Sequence, residues 1–290
     1  MKLSERTYFG TTLRSQIESF FKEDDLDRNS FYSNKLPSGI VDCSLNFKTE
    51  GTVISGLPFF VECFLFLGAS KEQLDHLFNS EGALVSSKAF SLPFNLPFSV
   101  ALTGERLALN LLQRSSSIAT MTSRFVKKAN SKGIEILDTR KTLPGLRFLD
   151  KYSVRVGGGK NHRFGQADVW MVKDNHKNYF GGVEEAVSFF QSMGGFYTPI
   201  VVEIHNLNEL EKAKEIGVKH FLLDNFVPEE ISEAVKMKSS NMTFEVSGGM
   251  NLDKIDSYLI KGVDAISVGC LTHSPQLIDI SMKFKKGIHK

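Results

Sequence analysis

IVVEIHNLNELEKAKEIGVKHFLLDNFVPEEISEAVKMKSSNMTFEVS, residues 200–247, decides the fold class. Three short apolar runs, Ile200–Ile204, His220–Leu223 and Thr243–Val246, alternate with two amphipathic stretches, Leu207–Ile216 and Glu229–Lys238. Runs rich in Val, Ile and Leu, separated by segments with helical spacing of their apolar residues, specify strands buried on both faces and helices packed over them. Repetition of that βα unit predicts a parallel sheet.

The same grammar extends outward in both directions. Upstream lie the runs Gly133–Leu137, Ser153–Val156 and Asp168–Val172 and a helix at Val183–Gln191; downstream lie a helix at Leu252–Ile260 and the run Ala265–Val268. About seven such units without a dinucleotide-binding GxGxxG favour an α/β barrel over a doubly wound sheet. The triplet Gly157–Gly159 lacks that motif's spacing and helix context. A long helix precedes the repeats, with Thr103 as its expected N-cap and Leu107, Leu111, Ile118, Met121 and Phe125 as its apolar stripe. The first hundred or so residues read differently. A helical stretch near Arg14–Lys22, the polar turn DDLDRNS, β-like runs at Gly51–Ile54 and Pro58–Phe66, and Pro93 and Pro97 suggest a small α+β domain.

Composition bounds the function. The chain has 290 residues, 41% apolar and 23% charged, with a formal net charge of +2. That near balance gives no case for nucleic-acid binding, so any cationic site must be local. The N-terminal MKLSERTYFG has no apolar core of a signal peptide, and the most apolar stretch, Leu57–Leu67, is interrupted by Glu62. Cys43, Cys63 and Cys270 are odd in number and scattered, which fits neither a disulfide framework nor a zinc cluster. A reduced, cytoplasmic protein is the expectation.

In an α/β barrel the active site forms at the C-terminal ends of the strands, so the residues that end each run carry the chemistry. The early runs end in Arg140, Lys141, His162, Arg163 and Lys173, all potential cations. The middle runs carry Glu203 and Asp224; the last two end in Ser247, Gly248, Gly249 and Gly269. An arginine fork binds a carboxylate bidentately, and each charge-assisted bond contributes about 1.5–3 kcal/mol. Glycines after a strand admit a phosphate to backbone N–H groups, and a helix beginning near Leu252 adds a favourable dipole. Paired carboxylates suit sugar hydroxyls and a hard cation such as Mg²⁺. Singly, each of these residues reads as a solvated loop position or a tight turn. Their coincidence on successive strands points to a barrel enzyme acting on a phosphorylated polyanion.

Longer segments narrow this. ERLALNLLQRSSSIAT (105–120), ILDTRKTLPGLRFLDKYSVRVGGGKNHRFGQADVWMVKDNH (136–176), EIHNLNELEKAKEIGV (203–218) with LLDN (222–225), EVSGGMNLDKI (245–255) and GVDAISVGCLTHS (262–274) resemble, in order, the signature segments of the quinolinate phosphoribosyltransferases, the carboxylating nicotinate-nucleotide pyrophosphorylases. The resemblance runs from about residue 103 to 280 and is loose before that. It implies a type II phosphoribosyltransferase fold, an α/β chain with an N-terminal α/β sandwich domain (1–112, with the tail 277–290 returning to it) and a seven-stranded open α/β barrel (113–276). It implies transfer of a phosphoribosyl group from phosphoribosyl pyrophosphate to quinolinate, giving nicotinate mononucleotide, CO2 and pyrophosphate in NAD biosynthesis, with Mg²⁺. It implies a homodimer with shared sites, in which Arg106 of one subunit reaches into the other's barrel. Arg140, His162 and Arg163 would join Arg106 on the quinolinate carboxylates, and Lys141 and Lys173 would lie between pyridine and pyrophosphate. Glu203 and Asp224 would bind the ribose hydroxyls and Mg²⁺; Ser247, Gly248, Gly249 and Gly269 would seat the 5′-phosphate. Arg106 is also expected in a helix's first turn, where a cation opposes the dipole. Val201, His205, Leu143 and Cys270 depart from residues common in the family. Two alternatives remain open at this level: a related enzyme of the molybdenum-transport type with another substrate, and a non-catalytic phosphate-binding barrel.

Overall fold

The computed structural model describes residues 10–28, 35–37 and 39–286. The described residues divide into two compact units, one formed by those up to Thr120 together with those from Pro275 onward, the other Met121–Ser274.

The first unit is built on an antiparallel sheet of three strands in the order β2-β1-β9, with β1 at Ile40–Phe47, β2 at Ser91–Pro97 and β9 at Ile280–Lys286. The end of the chain thus pairs with β1, Cys43 opposite Phe284. A helix at Gly10–Glu23 fits the helical stretch read near Arg14–Lys22, and Arg14 Nη1 bonds Glu62 Oε1 at 3.0 Å. The end of the turn DDLDRNS, Asn29 and Ser30, lies outside the described residues.

Pro58–Phe66, expected to be β-like, is instead part of a helix, Leu57–Phe66. Its aromatic, all-round apolar composition suits a strand as well as a helix buried on every side, where no period survives. Local chemistry breaks the tie. Pro58 stands in the first turn, and the Glu81 carboxylate accepts from the Gly56 and Leu57 N–H groups, both at 2.8 Å. Gly51–Ile54 contributes a single bridge, Val53 to Leu84, rather than a strand.

The long helix runs from Phe98 to Ala129. It begins immediately after Pro97, so Thr103 is an interior residue and not the N-cap, and Arg106 lies beyond the first turn, which removes the dipole argument for it. Leu111, Ile118 and Phe125 of the expected stripe are buried. No helix among the described residues is long and apolar enough to cross a membrane.

The second unit is an all-parallel sheet of six strands, order β3-β8-β7-β6-β5-β4: β3 Glu135–Leu137, β4 Trp170–Val172, β5 Ile200–Ile204, β6 His220–Asp224, β7 Thr243–Ser247 and β8 Ala265–Ser267. Helices Val183–Met193, Leu207–Glu215 and Pro228–Lys236 follow β4, β5 and β6 as the periodicity predicts. Ser153–Val156, expected as a strand, ends the helix Arg147–Val156. Four residues with Val154 and Val156 alternating suit either structure, but Leu149, Tyr152 and Val156 recur at helical spacing over the longer window. The place beside β3 is taken by Lys160, whose N–H donates to Ile136 O at 2.8 Å and whose carbonyl accepts from Asp138 N–H at 3.2 Å.

The helix expected at Leu252–Ile260 is reduced to one turn, Ile255–Tyr258. Asn251 accepts from the Asp253 and Lys254 N–H groups at 3.1 and 2.9 Å and holds the preceding residues in a turn. The long helix whose dipole was expected behind Ser247–Gly249 is therefore not formed there.

Candidate active site

Parallel register brings the strand ends together. Glu203 pairs with Leu222 across β5–β6, Leu222 with Glu245 and Asp224 with Ser247 across β6–β7. Residues that share a level in neighbouring parallel strands point to the same face, so carboxylates and the Ser247 hydroxyl gather at one mouth. That mouth is a cleft of about 800 Å³ lying wholly within the second unit. Arg140, Lys141, His162, Arg163 and Lys173 line one part of it; Glu203, Asp224, Ser247, Gly248, Gly249 and Gly269 line the rest. Arg106 is exposed on the long helix of the first unit and is not among the lining residues.

A buried ion pair shapes the cationic side. Asp138, which follows β3, and Lys151, on the helix Arg147–Val156, are both fully or almost fully buried and bonded to each other. Asp138 also accepts from Asn161 Nδ2 at 2.5 Å and from the His162 N–H at 3.0 Å, and Lys151 Nζ donates to His162 O at 3.0 Å. Burial pushes the Asp138 carboxyl above its ordinary range and draws the Lys151 ammonium below its own, while each partner's charge opposes that shift. The pair therefore clamps the loop that carries His162 and Arg163.

His162 is fully engaged. Its Nδ1 accepts from the Arg163 N–H at 2.6 Å, and its Nε2 lies 3.2 Å from Glu245 Oε2. Glu245 in turn accepts from Ser267 Oγ. Arg163 Nη1 donates to Val169 O at 2.8 Å, and burial, then the neighbouring Arg140 charge, draw its pKa below the usual arginine value. The Arg140 Nε is buried and has no hydrogen-bond partner. A buried guanidinium donor left unpaired beside a second guanidinium is a site short of an anion.

The acidic side is pre-arranged. Glu203, 6% exposed, accepts from Lys173 Nζ at 2.6 Å through Oε2, and His205 Nε2 lies 3.4 Å from Oε1. Asp224 accepts from Ser247 Oγ at 2.5 Å and from Asn225 Nδ2 at 2.8 Å. Asn225 has a φ of 59° and Gly248 one of 113°, and a Cβ on Gly248 would lie 2.8 Å from the Asn225 backbone nitrogen. Only glycine permits this approach, which leaves backbone of the 247–249 turn facing the cleft. Gly269 is less constrained, with an ordinary φ of −66°, and a Cβ there would press only on the side chains of Lys141 and His273, each at 3.3 Å. Glu203, His205 and Asp224 each offer one ligand atom, all within 4.8 Å of one another. Two carboxylates that face a cleft suited to a polyphosphate fit a hard divalent cation whose other ligands are substrate and water oxygens.

Glu245, Ser267, Lys151 and Asn161 were not singled out from the sequence. Glu245 left a signal, a lone carboxylate inside the apolar run Thr243–Val246. Lys151, inside a helix and buried through a partner distant in sequence, left none.

The buried pair generates a stability prediction. Lys151→Met strands the Asp138 carboxylate and should lower unfolding free energy by about 3–5 kcal/mol in a denaturant titration, with Lys151→Met/Asp138→Asn recovering part of the loss.

With this geometry in place, the likenesses to known proteins are informative. The family profile for the quinolinate phosphoribosyl transferase C-terminal domain matches residues 118–283. The chain is 36% identical to a Bacillus subtilis protein named a probable carboxylating nicotinate-nucleotide pyrophosphorylase, over 93% of this chain and 92% of the other. It is 35% identical to the human carboxylating nicotinate-nucleotide pyrophosphorylase, over 94% and 91% of the two chains. Its fold superposes on that of NadC from Streptococcus pyogenes with a TM-score of 0.82, at 32% identity and covering 97% and 98% of the chains. The chain belongs to the quinolinate phosphoribosyltransferase family.

Proposed function

We propose that this protein joins quinolinate to the ribosyl carbon of phosphoribosyl pyrophosphate, releasing pyrophosphate and CO2 and forming nicotinate mononucleotide. The single observation that carries the reading is the unpaired, buried Arg140 Nε beside Arg163, in a cleft that also holds Glu203, Asp224 and the glycine turn after β7. A diacid and a phosphosugar together use all three parts of that cleft.

Arg140 and Arg163 hold the two ring carboxylates, with the His162 edge packed beside them. Their planar forks fix the pyridine nitrogen toward the sugar, so much of the catalysis is positioning. Ser247, Gly248, Gly249 and Gly269 seat the 5′-phosphate with backbone N–H groups. The nitrogen attacks C1 as the bond to pyrophosphate breaks, and positive charge develops on the ribose ring. Glu203 and Asp224 face that charge, already oriented by Lys173, Ser247 and Asn225 and needing little reorganisation. Lys141 and Lys173 offset the charge of the departing pyrophosphate. Mg²⁺, when bound, supplies further neutralisation of that leaving group, and Glu203 and Asp224 are the residues that would hold it. The carboxylate next to the nitrogen then leaves as CO2, its bonding electron pair stays on the ring carbon where the adjacent cationic nitrogen stabilises it, and a proton from water or the Lys141 ammonium takes the carboxylate's place.

The reading includes a homodimer in which Arg106 of the partner subunit completes the carboxylate clamp. It also includes a reducing, cytoplasmic setting, consistent with Cys43, Cys63 and Cys270 being free thiols.

Turnover of quinolinate with phosphoribosyl pyrophosphate and Mg²⁺, followed by product mass, tests the function. Nicotinate, with one carboxylate fewer, should be used at least about tenfold less well, since each charge-assisted bond contributes about 1.5–3 kcal/mol. Equal use would remove the clamp assignment. Gly248→Ala should raise the KM for phosphoribosyl pyrophosphate about tenfold or more while that for quinolinate changes little. Arg106→Ala and Lys173→Ala proteins should each be nearly inactive, yet regain activity when their subunits are exchanged, because one of the two sites becomes intact. Demonstrated exchange without recovery would contradict a shared site.

A further inference from the structure

Glu203 divides its two oxygens. Oε2 is held by the Lys173 ammonium at 2.6 Å, while Oε1 faces the His205 imidazole at 3.4 Å. That His205 contact is longer than a good hydrogen bond, and one ligand atom each of Glu203, His205 and Asp224 lies within 4.8 Å of the other two. Ligands bound to one ion at about 2.0–2.2 Å stand roughly 3 Å apart when adjacent and about 4 Å when opposed. The Glu203–His205 pair is already in that range at 3.4 Å, and the remaining spacings, none above 4.8 Å, close to it through side-chain rotation without movement of the backbone. Asp224 already accepts from Ser247 and Asn225, but a carboxylate has about four lone-pair sites, so it retains capacity for a cation.

The backbone beneath this triad is fixed. The buried ammonium of Lys177 donates to Glu203 O at 2.9 Å and to Glu209 Oε2 at 2.6 Å, and the same Glu209 oxygen accepts from the His205 N–H at 3.0 Å. Asn206 then caps the helix that follows, accepting from the Glu209 N–H at 2.9 Å. Residues 203–205 are thus locked from behind, which is the outer-shell support that metal ligands require.

We propose that His205 supplies a nitrogen ligand to a divalent cation shared with Glu203 and Asp224, so that this site selects a first-row transition metal such as Mn²⁺ over Mg²⁺. Imidazole is a favourable donor for transition-metal dications, whereas Mg²⁺ demands oxygen and retains its water. Two carboxylates alone suit both ions and give a weaker preference. The histidine adds one donor that only the transition metal uses well. The inference deepens the proposed function, taking from it only the presence of a divalent cation at this cleft.

The test uses the whole, metal-stripped protein and Mn²⁺ alone, without substrates. Loss of the free Mn²⁺ electron paramagnetic resonance signal gives the affinity, competition gives that for Mg²⁺, and electron spin echo modulation detects a bound ¹⁴N nucleus. Mn²⁺ should bind at least tenfold more tightly than Mg²⁺ and show ¹⁴N modulation. His205→Gln should lose the modulation and most of the preference, and His205→Asp should lose the modulation while improving Mg²⁺ binding. Modulation that is missing in the wild type, or that survives in His205→Gln, overturns the proposal, as does Mn²⁺ binding that depends on Asp224 but not on His205. A protein that binds Mn²⁺ through nitrogen yet fails to turn over quinolinate separates this inference from the functional reading.

Discussion

A carboxylate and an ammonium taken out of water behind β3 hold the mouth of the barrel in shape. Asp138 and Lys151 are each disfavoured by burial, and each survives because the other, together with Asn161 and the His162 backbone, satisfies it. Replacing such a pair by apolar side chains commonly leaves stability unchanged, so its value here is positional. It fixes the loop that carries His162 and Arg163 into the cleft lined also by Arg140, whose Nε is the only buried guanidinium nitrogen without a partner among the described residues.

The rest of the cleft follows from register. Parallel strands in step put Asp224 beside Ser247 and Glu245 beside Leu222, so the charged groups meet at set heights rather than by loop placement. The result is a graded surface. Along the sheet, Arg140 follows β3, the glycine turns follow β8 and β7, and the hydrogen-bonded carboxylates stand on β6 and β5. Each part is held by its neighbours before any ligand enters, which is how a protein lowers the reorganisation needed at the moment of reaction.

Much of this was legible in the sequence because βα repeats carry a strong period and because strand ends are where a barrel exposes chemistry. The strands around Glu203, Asp224 and Ser247 were readable for that reason. Short or uniformly apolar segments were not. SVRV (153–156) alternates like a strand but closes a helix, and LPFFVECFLF (57–66) is so apolar that only its Pro58 and the distant Glu81 reveal a helix. The stretch after Gly249 looked helical until Asn251 turned it into a bend. A partner brought in by folding from inside a helix, such as Lys151 for Asp138, has no local signature at all.

The central claim is that one cleft holds a diacid by its guanidinium side and a phosphosugar by its carboxylates and turn amides. A crystal structure with quinolinate bound tests it most directly. The account predicts one ring carboxylate on Arg140 and the other near Arg163, with the pyridine nitrogen facing the space beside Glu203 and Asp224. Quinolinate bound elsewhere, or in this cleft with the Arg140 guanidinium still without an anion, would contradict it.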